Sequence, residues 1–298
     1  MYTKKELMDV LLNLRRLPTL SPVALMLMQS LNEDEPNVER ISKIIADDPP
    51  ITSMILKLAN SAMYEARRTI ITVQDAVVRL GFKEIRRLAI DCALVNHLTE
   101  MPKGLLNLVD FWEHSISVAF CIEEIQIAAH VLEKNGSKAH VVGLLHDIGR
   151  LITASYMPEV HQQFGDDSSE IDSGEKITVW EKETIGLDHA QIGAAILENW
   201  GVPMEIVNGV RFHHQPDISP QPQRKDSYLV YLSDSICRRS RLGNVGEGPP
   251  GEIDESVWDF LRISSDIEDE IVDIVREKVE KSDVMLSIAG LKKNQKAG

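Results

Sequence analysis

The sequence predicts an all-α protein, an N-terminal helical bundle packed with a second helical lobe. Apolar residues recur at three- and four-residue spacing along most of the chain. These runs open repeatedly on a capping residue followed by proline, and strand signals are scarce. With 298 residues, 43% of them hydrophobic, the chain can bury one large core or two ordinary ones.

In residues 3–17, Leu7, Val10, Leu11 and Leu14 fall at helical spacing, and Leu17-Pro18 stops the segment. A second helix opens with Ser21 as N-cap and Pro22 in the first turn. Its methionines, Met26 and Met28, read as core together with the later Met54 and Met63. Pro36 or Asn37 starts a third helix, with Val38, Ile41, Ile44 and Ile45 on one side. Asp48-Pro49-Pro50 repeats the capping grammar and launches a helix from Ile51 to about Tyr64, with Ile51, Ile55, Leu58 and Ala62 at the expected spacing. Thr72 to Leu98 reads as two helices broken at Gly81, with Val73, Ala76, Val77 and Leu80 before the break and Ile85, Leu88, Ile90 and Leu94 after it.

The corner at Gly81 carries Arg79, Lys83, Arg86 and Arg87 and has the spacing of a DNA-binding helix-turn-helix, but any tight corner of two helices with a glycine looks the same. The chain has 32 basic against 46 acidic residues, a net charge of -14, so its long-range field opposes phosphate backbones and leaves DNA binding a minor alternative. Cys92, Cys121 and Cys237 stand apart in apolar contexts and read as buried thiols. No run reaches the roughly 18 apolar residues that span a bilayer, and the N-terminus lacks a signal-peptide core, so a cytoplasmic location is expected.

Eight of the nine histidines lie between His114 and His214, which makes a site worth seeking there. His146-Asp147 ends the apolar run Val141 to Leu145. The pair offers an imidazole nitrogen and a carboxylate to one cation, a mixture that suits Mn, Fe, Ni or Zn, while the plainer alternative is a polar helix end. His114 sits on a helix and reads alone as a solvated histidine. His189 follows Asp188, which serves equally as a cap. His213-His214 closes the helix Met204 to Phe212, where imidazoles suit either a metal or the helix dipole. Asp234, in the apolar helix from Tyr228 to Cys237, needs a cation or Arg238 beside it. His97, His130, His140 and His161 fit no pattern and read as surface or helix-end residues.

An ordered series of motifs resembles the HDOD domain, an all-helical family related to the HD superfamily. The series runs Leu17-Pro18, Ser21-Pro22, Ile55-Leu56-Lys57-Leu58-Ala59-Asn60-Ser61, Leu80-Gly81, Trp112-Glu113-His114-Ser115, His146-Asp147-Ile148-Gly149, Asp188-His189-Ala190-Gln191-Ile192-Gly193, Trp200-Gly201-Val202-Pro203 and His213-His214-Gln215-Pro216. It covers about residues 5 to 240. The resemblance implies that His114, His146, Asp147 and Asp234 hold one metal, with Asp147 bridging to a second held by His189, His213 and His214. Two such ions clamp a phosphoryl group for in-line attack.

Two departures limit the resemblance. HD-type cyclic-dinucleotide phosphodiesterases carry Gly-Tyr-Pro after the His-His pair, where this chain reads Gln215-Pro216-Asp217. They also place lysine where this chain has Arg150, which can fork onto a phosphate but cannot act as an acid or base. Asp147 and Arg150 are the candidate catalytic residues.

Residues 165–176 read as an acidic loop. Residues 238–253 read as a linker rich in glycine and proline, followed by Trp258, Phe260 and Leu261 and by the apolar stripe Ile267, Ile271, Ile274, Val275 and Val279. That tail either packs back on the bundle or dimerises. Lys292 to Gly298 reads as a disordered end. The expected organisation is an N-terminal lobe over 1–105, an HD-like lobe over 106–242 with the candidate metal site, and a linker and helical extension over 243–298.

Taken as a member of this family, the chain is expected to be a cytoplasmic signalling or regulatory protein holding one or two divalent transition ions, Fe, Mn, Ni or Zn. The alternative is a metal-dependent phosphohydrolase or phosphodiesterase acting on a nucleotide. The expected partner is a protein or a small nucleotide rather than nucleic acid or a membrane, with a homodimer through the C-terminal helices as one arrangement.

Overall fold

Short polar side chains set where the helices begin. Asn37 accepts from the Arg40 amide at 2.8 Å, Asp48 from Ile51 at 3.0 Å, Thr72 from Asp75 at 3.0 Å and Asp188 from Gln191 at 2.7 Å, each satisfying an orphan N–H of a first turn. Ser21 stands just before Pro22 as expected, but its side chain makes no capping bond.

The computed structural model describes residues 20–33, 35–61, 64, 69–99, 106–130, 138–159, 162, 174–243, 252–288 and 290–291. The expected helix over 3–17 with its Leu17-Pro18 stop lies outside the described residues. So do Ala62, Met63, His161, most of the acidic stretch 165–176, residues 244–251 of the linker and the end from Lys292.

The N-terminal lobe contains α1 (Pro22–Gln29), α2 (Val38–Ala46), α3 (Pro49–Ala59), α4 (Val73–Leu80) and α5 (Phe82–Thr99). The second lobe contains α6 (Leu108–Ala128), α7 (Lys138–Leu145), α8 (Ile148–Tyr156), α9 (Gly174–Ile185), α10 (His189–Asn199), α11 (Met204–Arg211) and α12 (Arg224–Arg239). The extension forms α13 (Glu255–Leu261) and α14 (Glu268–Ile288). No strand occurs among the described residues. Within the first lobe, α5 packs on α1, α3 and α4. In the second, α6 is the axis, against which α7, α12 and α14 pack, while α10 packs on α8 and α11. No helix among the described residues is long and apolar enough to cross a membrane.

Several expectations need correction. Met26 is 42% exposed, while Met28 and Met54 are core, because residues two apart on a helix point to nearly opposite sides. On α2, Ile41 and Ile45 are buried but Val38 is 41% exposed, and Ser42 takes the inward place next to Ile41. Helix α3 ends at Ala59 rather than near Tyr64, where Asn60 turns the chain by bonding both the amide and the carbonyl of Ile70. Helix α9 begins at Gly174, inside the stretch read as an acidic loop. At the Gly81 corner Arg86 is buried, and Arg87 is spent on Glu84 and Asp91, so half of the corner's positive charge points into the fold.

His140, read as a surface or helix-end residue, is buried. Its Nε2 lies 3.0 Å from Asp91 and its Nδ1 2.9 Å from Glu123, joining α5, α6 and α7. All three cysteines are buried and free. Helix α14 lies on α6, with Ile271, Val272 and Val275 buried and Lys278 paired to Glu124 at 2.6 Å, so the tail packs back on the bundle.

Candidate metal centre

The two glycines of His-Asp-Ile-Gly and Asp-His-Ala-Gln-Ile-Gly bring α8 and α10 into backbone contact. A Cβ on Gly149 would stand 2.0 Å from the His189 carbonyl oxygen, and one on Gly193 would meet the Gly149 amide at 3.0 Å. Only residues without a side chain permit this approach. It sets Asp147 against His189, with Oδ1 3.1 Å from His189 Nε2.

Around this contact the structure gathers all seven residues named from the sequence. His114, His146 and Asp234 form one trio of mutually close ligand atoms, and His189, His213 and His214 form another. Asp147 belongs to neither trio but stands between them. Its Oδ2 lies 3.6 Å from His146 Nε2, and its Oδ1 faces His189. Six of the seven are buried, and His214, the exception, is half-buried.

Four of the five rings are held from behind. His146 Nδ1–H donates to the Gly143 carbonyl at 2.7 Å, His213 Nδ1–H to Val210 at 2.7 Å and His114 Nδ1–H to Leu242 at 3.3 Å. A carbonyl only accepts, so Nδ1 carries a proton in all three and Nε2 is the inward nitrogen, the one whose lone pair a metal would take. Gly243 secures the His114 contact, since a Cβ there would lie 2.4 Å from the His114 amide nitrogen. His189 is held by a carboxylate, for Glu181 Oε2 accepts both its Nδ1–H at 2.7 Å and its backbone N–H at 2.8 Å.

The inward nitrogens then face acceptors or nothing. His146 Nε2 and His213 Nε2 are buried and have no hydrogen-bond partner among the described residues. His114 Nε2 lies 3.1 Å from Asp234 Oδ1, and His214 Nε2 lies 2.8 Å from His189 Nε2. Buried orphan acceptors are costly, and each of the two close pairs needs a proton or a cation between its atoms. The donor set therefore fits divalent metal ions, and its mixture of imidazole and carboxylate suits Fe, Mn, Ni or Zn.

Without metal, protons take part of that role unevenly. Burial opposes the charge on His189, but Glu181 and Asp147 outweigh it and hold the ring up at about 10. Burial, then repulsion from His146 and His189, pushes His213 down to about 3. His214 is lowered by burial and by His213, and His146 is lowered chiefly by burial. Burial would raise Asp147, yet His146, Arg150 and His189 hold it well below the carboxylate range. Asp234 is held low against its burial by Arg238 and His114. The result is two ionised carboxylates facing neutral imidazoles at His146, His213 and His214, with a proton held on His189 that a metal ion would displace.

Arg150 Nη1 stands 3.7 Å from Asp147 Oδ2, and Arg238 Nη1 stands 3.6 Å from Asp234 Oδ2. A cleft of about 330 Å³ opens beside His214, lined also by Lys182, Gln191, Arg211 and Phe212. Its size is at the lower end of the range for small-molecule sites.

The sequence motifs mark the seven inward residues but not Glu181 or the part played by Gly149, Gly193 and Gly243. A glutamate eight residues before His189 carries no local signal, whereas the two motif glycines were visible without their purpose.

Fold and ligand arrangement together define a helical domain of the histidine–aspartate type. The chain belongs to the HDOD domain family, whose model matches residues 17–216. An HDOD protein of Geobacter sulfurreducens has the same fold, with 24% identity, a TM-score of 0.76, and 96% of this chain and 97% of that one covered. A protein of Shewanella amazonensis SB2B, provisionally named a phosphohydrolase, shows 25% identity and a TM-score of 0.66 over 96% of this chain and 97% of its own. A protein of Marinobacter aquaeolei VT8, provisionally named a signal transduction protein, shows 25% identity and a TM-score of 0.72 over 96% of this chain and 61% of its own. Among curated proteins, an uncharacterized protein of Treponema pallidum (strain Nichols) is 24% identical over 259 residues. That alignment covers 84% of this chain but 47% of the relative, so the chain spans about half the length of that protein.

Proposed function

We propose that this chain is a cytoplasmic signalling or regulatory HDOD protein whose helical core holds one or two divalent transition ions. The observation that carries the reading is the pair of buried Nε2 atoms on His146 and His213, without a hydrogen-bond partner among the described residues and turned inward by Nδ1–H bonds to Gly143 and Val210. His114, His146 and Asp234 would hold one ion and His189, His213 and His214 the other, with Asp147 between them. The departures in sequence support regulation over turnover. Arg150 keeps a fixed charge beside Asp147 but exchanges no proton, and the chain after His214 runs into Gln215-Pro216. Metal content of purified protein and of Asp147→Ala, by mass spectrometry, tests the reading: near-stoichiometric Fe, Mn, Ni or Zn in wild type and a loss in the variant support it. Equal, negligible content in both overturns it.

The cleft beside His214 favours a second reading, a phosphohydrolase acting on a nucleotide. Bound ions would supply Lewis acidity to a phosphoryl group. Lys182 and Arg211, paired with Asp188 and Glu198, place positive charge on the cleft wall, and Phe212 offers a face for a base. Release of phosphate from nucleotides with Mn or Fe added, at a rate lost in Asp147→Ala, supports this reading. Turnover no faster than that variant's removes it.

A further inference from the structure

A second cavity, of about 170 Å³, lies where the N-terminal lobe meets the HD-like lobe, walled by α5 on one side and by α6 and α7 on the other. Its charged lining is Lys83, Glu84, Arg86 and Arg87 from α5, Glu123 from α6 and His140 from α7. Four of the six are basic groups, and they are not equally engaged. Arg87 is bound to Glu84 and Asp91, and His140 to Asp91 and Glu123. Glu123 is further engaged by Lys278 of α14 at 3.4 Å. The two carboxylates of the lining are thereby committed.

Arg86 has no such partner among the described residues. It is 1% exposed, and its guanidinium is anchored by one Nη1–H bond to the Ser30 carbonyl at 3.1 Å and by the Phe82 ring, 5.2 Å from centroid to Cζ. Its Nη2 is buried with no hydrogen-bond partner among the described residues. Glu33, the carboxylate that acts on it at longer range, is itself paired with Arg40. Lys83, also in the lining, is exposed and forms no ion pair with a described residue. A buried guanidinium N–H left unsatisfied is costly, and a fixed guanidinium with a mobile ammonium near it is the pairing that receives phosphate oxygens.

We propose that this cavity binds a phosphate-class oxyanion, either inorganic phosphate or the phosphoryl group of a small monoester, with Arg86 and Lys83 as its cations. Two uncommitted positive charges match a phosphate carrying between one and two negative charges at neutral pH. The volume leaves room for the phosphoryl group and a short organic stem but excludes a nucleotide, since ligand sites for larger molecules begin at roughly 300 Å³. This site is separate from the histidine–aspartate centre, and its existence does not depend on metal binding there.

The test is calorimetric titration of the full chain in chelator, so that metal at the other centre contributes nothing, with sodium phosphate and glycerol 3-phosphate against sodium chloride at equal ionic strength. One saturable site per chain for either phosphate, weakened about tenfold or more in Lys83→Ala and in Arg86→Gln, supports the proposal. Tighter binding of glycerol 3-phosphate identifies the ligand as a monoester, and tighter binding of phosphate identifies it as the free ion. Lys83 is at the surface, so Lys83→Ala remains decisive if Arg86→Gln does not fold. Absence of saturation by both phosphates up to about 10 mM, or a Lys83→Ala affinity equal to wild type, overturns it.

Discussion

Gly149 meets His189 backbone to backbone, so closely that a Cβ on the glycine would stand 2.0 Å from the His189 carbonyl oxygen. The contact joins the helix that follows Asp147 to the helix that begins at His189, and so links the histidine trio containing His189 to the carboxylate between the trios. Gly149→Ala is expected to lower stability by about 2 kcal/mol or more, since neither backbone can retreat without parting the helices. It should also lower metal content. Urea denaturation checks the first effect, and a variant as stable as wild type contradicts the close approach.

Glu181 acts on the centre only through His189. Glu181→Gln retains an acceptor but removes the charge that fixes the ring and supports its basicity, so metal affinity should fall about 10- to 100-fold with little change in helix content. Competition against a chromophoric chelator measures this. If the variant holds metal as tightly as wild type, the 2.7 Å contact does not tune the site.

His140 predicts a pH dependence of stability. Burial opposes its charge, but Asp91 and Glu123 raise it from 6.5 to about 9. The folded chain therefore binds this proton more tightly than the unfolded chain does. The stabilisation is complete below pH 6.5 and lost as pH rises through about 9. Glu123 runs the other way: His140, Arg87 and Lys278 bring it down to about 2 against its burial, so its contribution is present above 4.5 and lost as pH falls through about 2. Unfolding free energies measured between pH 6 and pH 10 should fall more steeply in wild type than in His140→Gln, by up to about 1.4 kcal/mol per pH unit. The comparison with the variant isolates His140 from His189, which titrates in the same direction. Equal slopes in the two proteins contradict the assignment.

The helices are legible because their signals are local: Asn37, Asp48 and Asp188 cap the turns that follow them. The seven site residues are legible only as an ordered series resembling the HD superfamily, since each alone has a plainer reading. His140 was misread because what makes it buried and charged comes from Asp91, 49 residues away, and Glu123, on two other helices. Val38 and Met26 were misplaced because apolar residues outnumber the inward positions of short helices, and periodicity does not say which of two neighbours turns in. Glu181 escaped notice for the same reason as His140, since its role exists only once α9 is laid beside α10. The tail was placed by packing. Ile271 and Val275 of its stripe became core, and Ile267, Ile274 and Val279 half-buried, because α6 offered an apolar surface, which the sequence of the tail does not record.

The most direct test of a metal centre is anomalous X-ray scattering from crystals of the purified protein, collected across the absorption edges of Fe, Mn, Ni and Zn. The account predicts a peak about 2.0–2.2 Å from His146 Nε2 or His213 Nε2, inside the ring of seven residues, and its absence from Asp147→Ala crystals. Wild-type crystals showing no anomalous peak within that ring, after growth with each of the four metals, would contradict it.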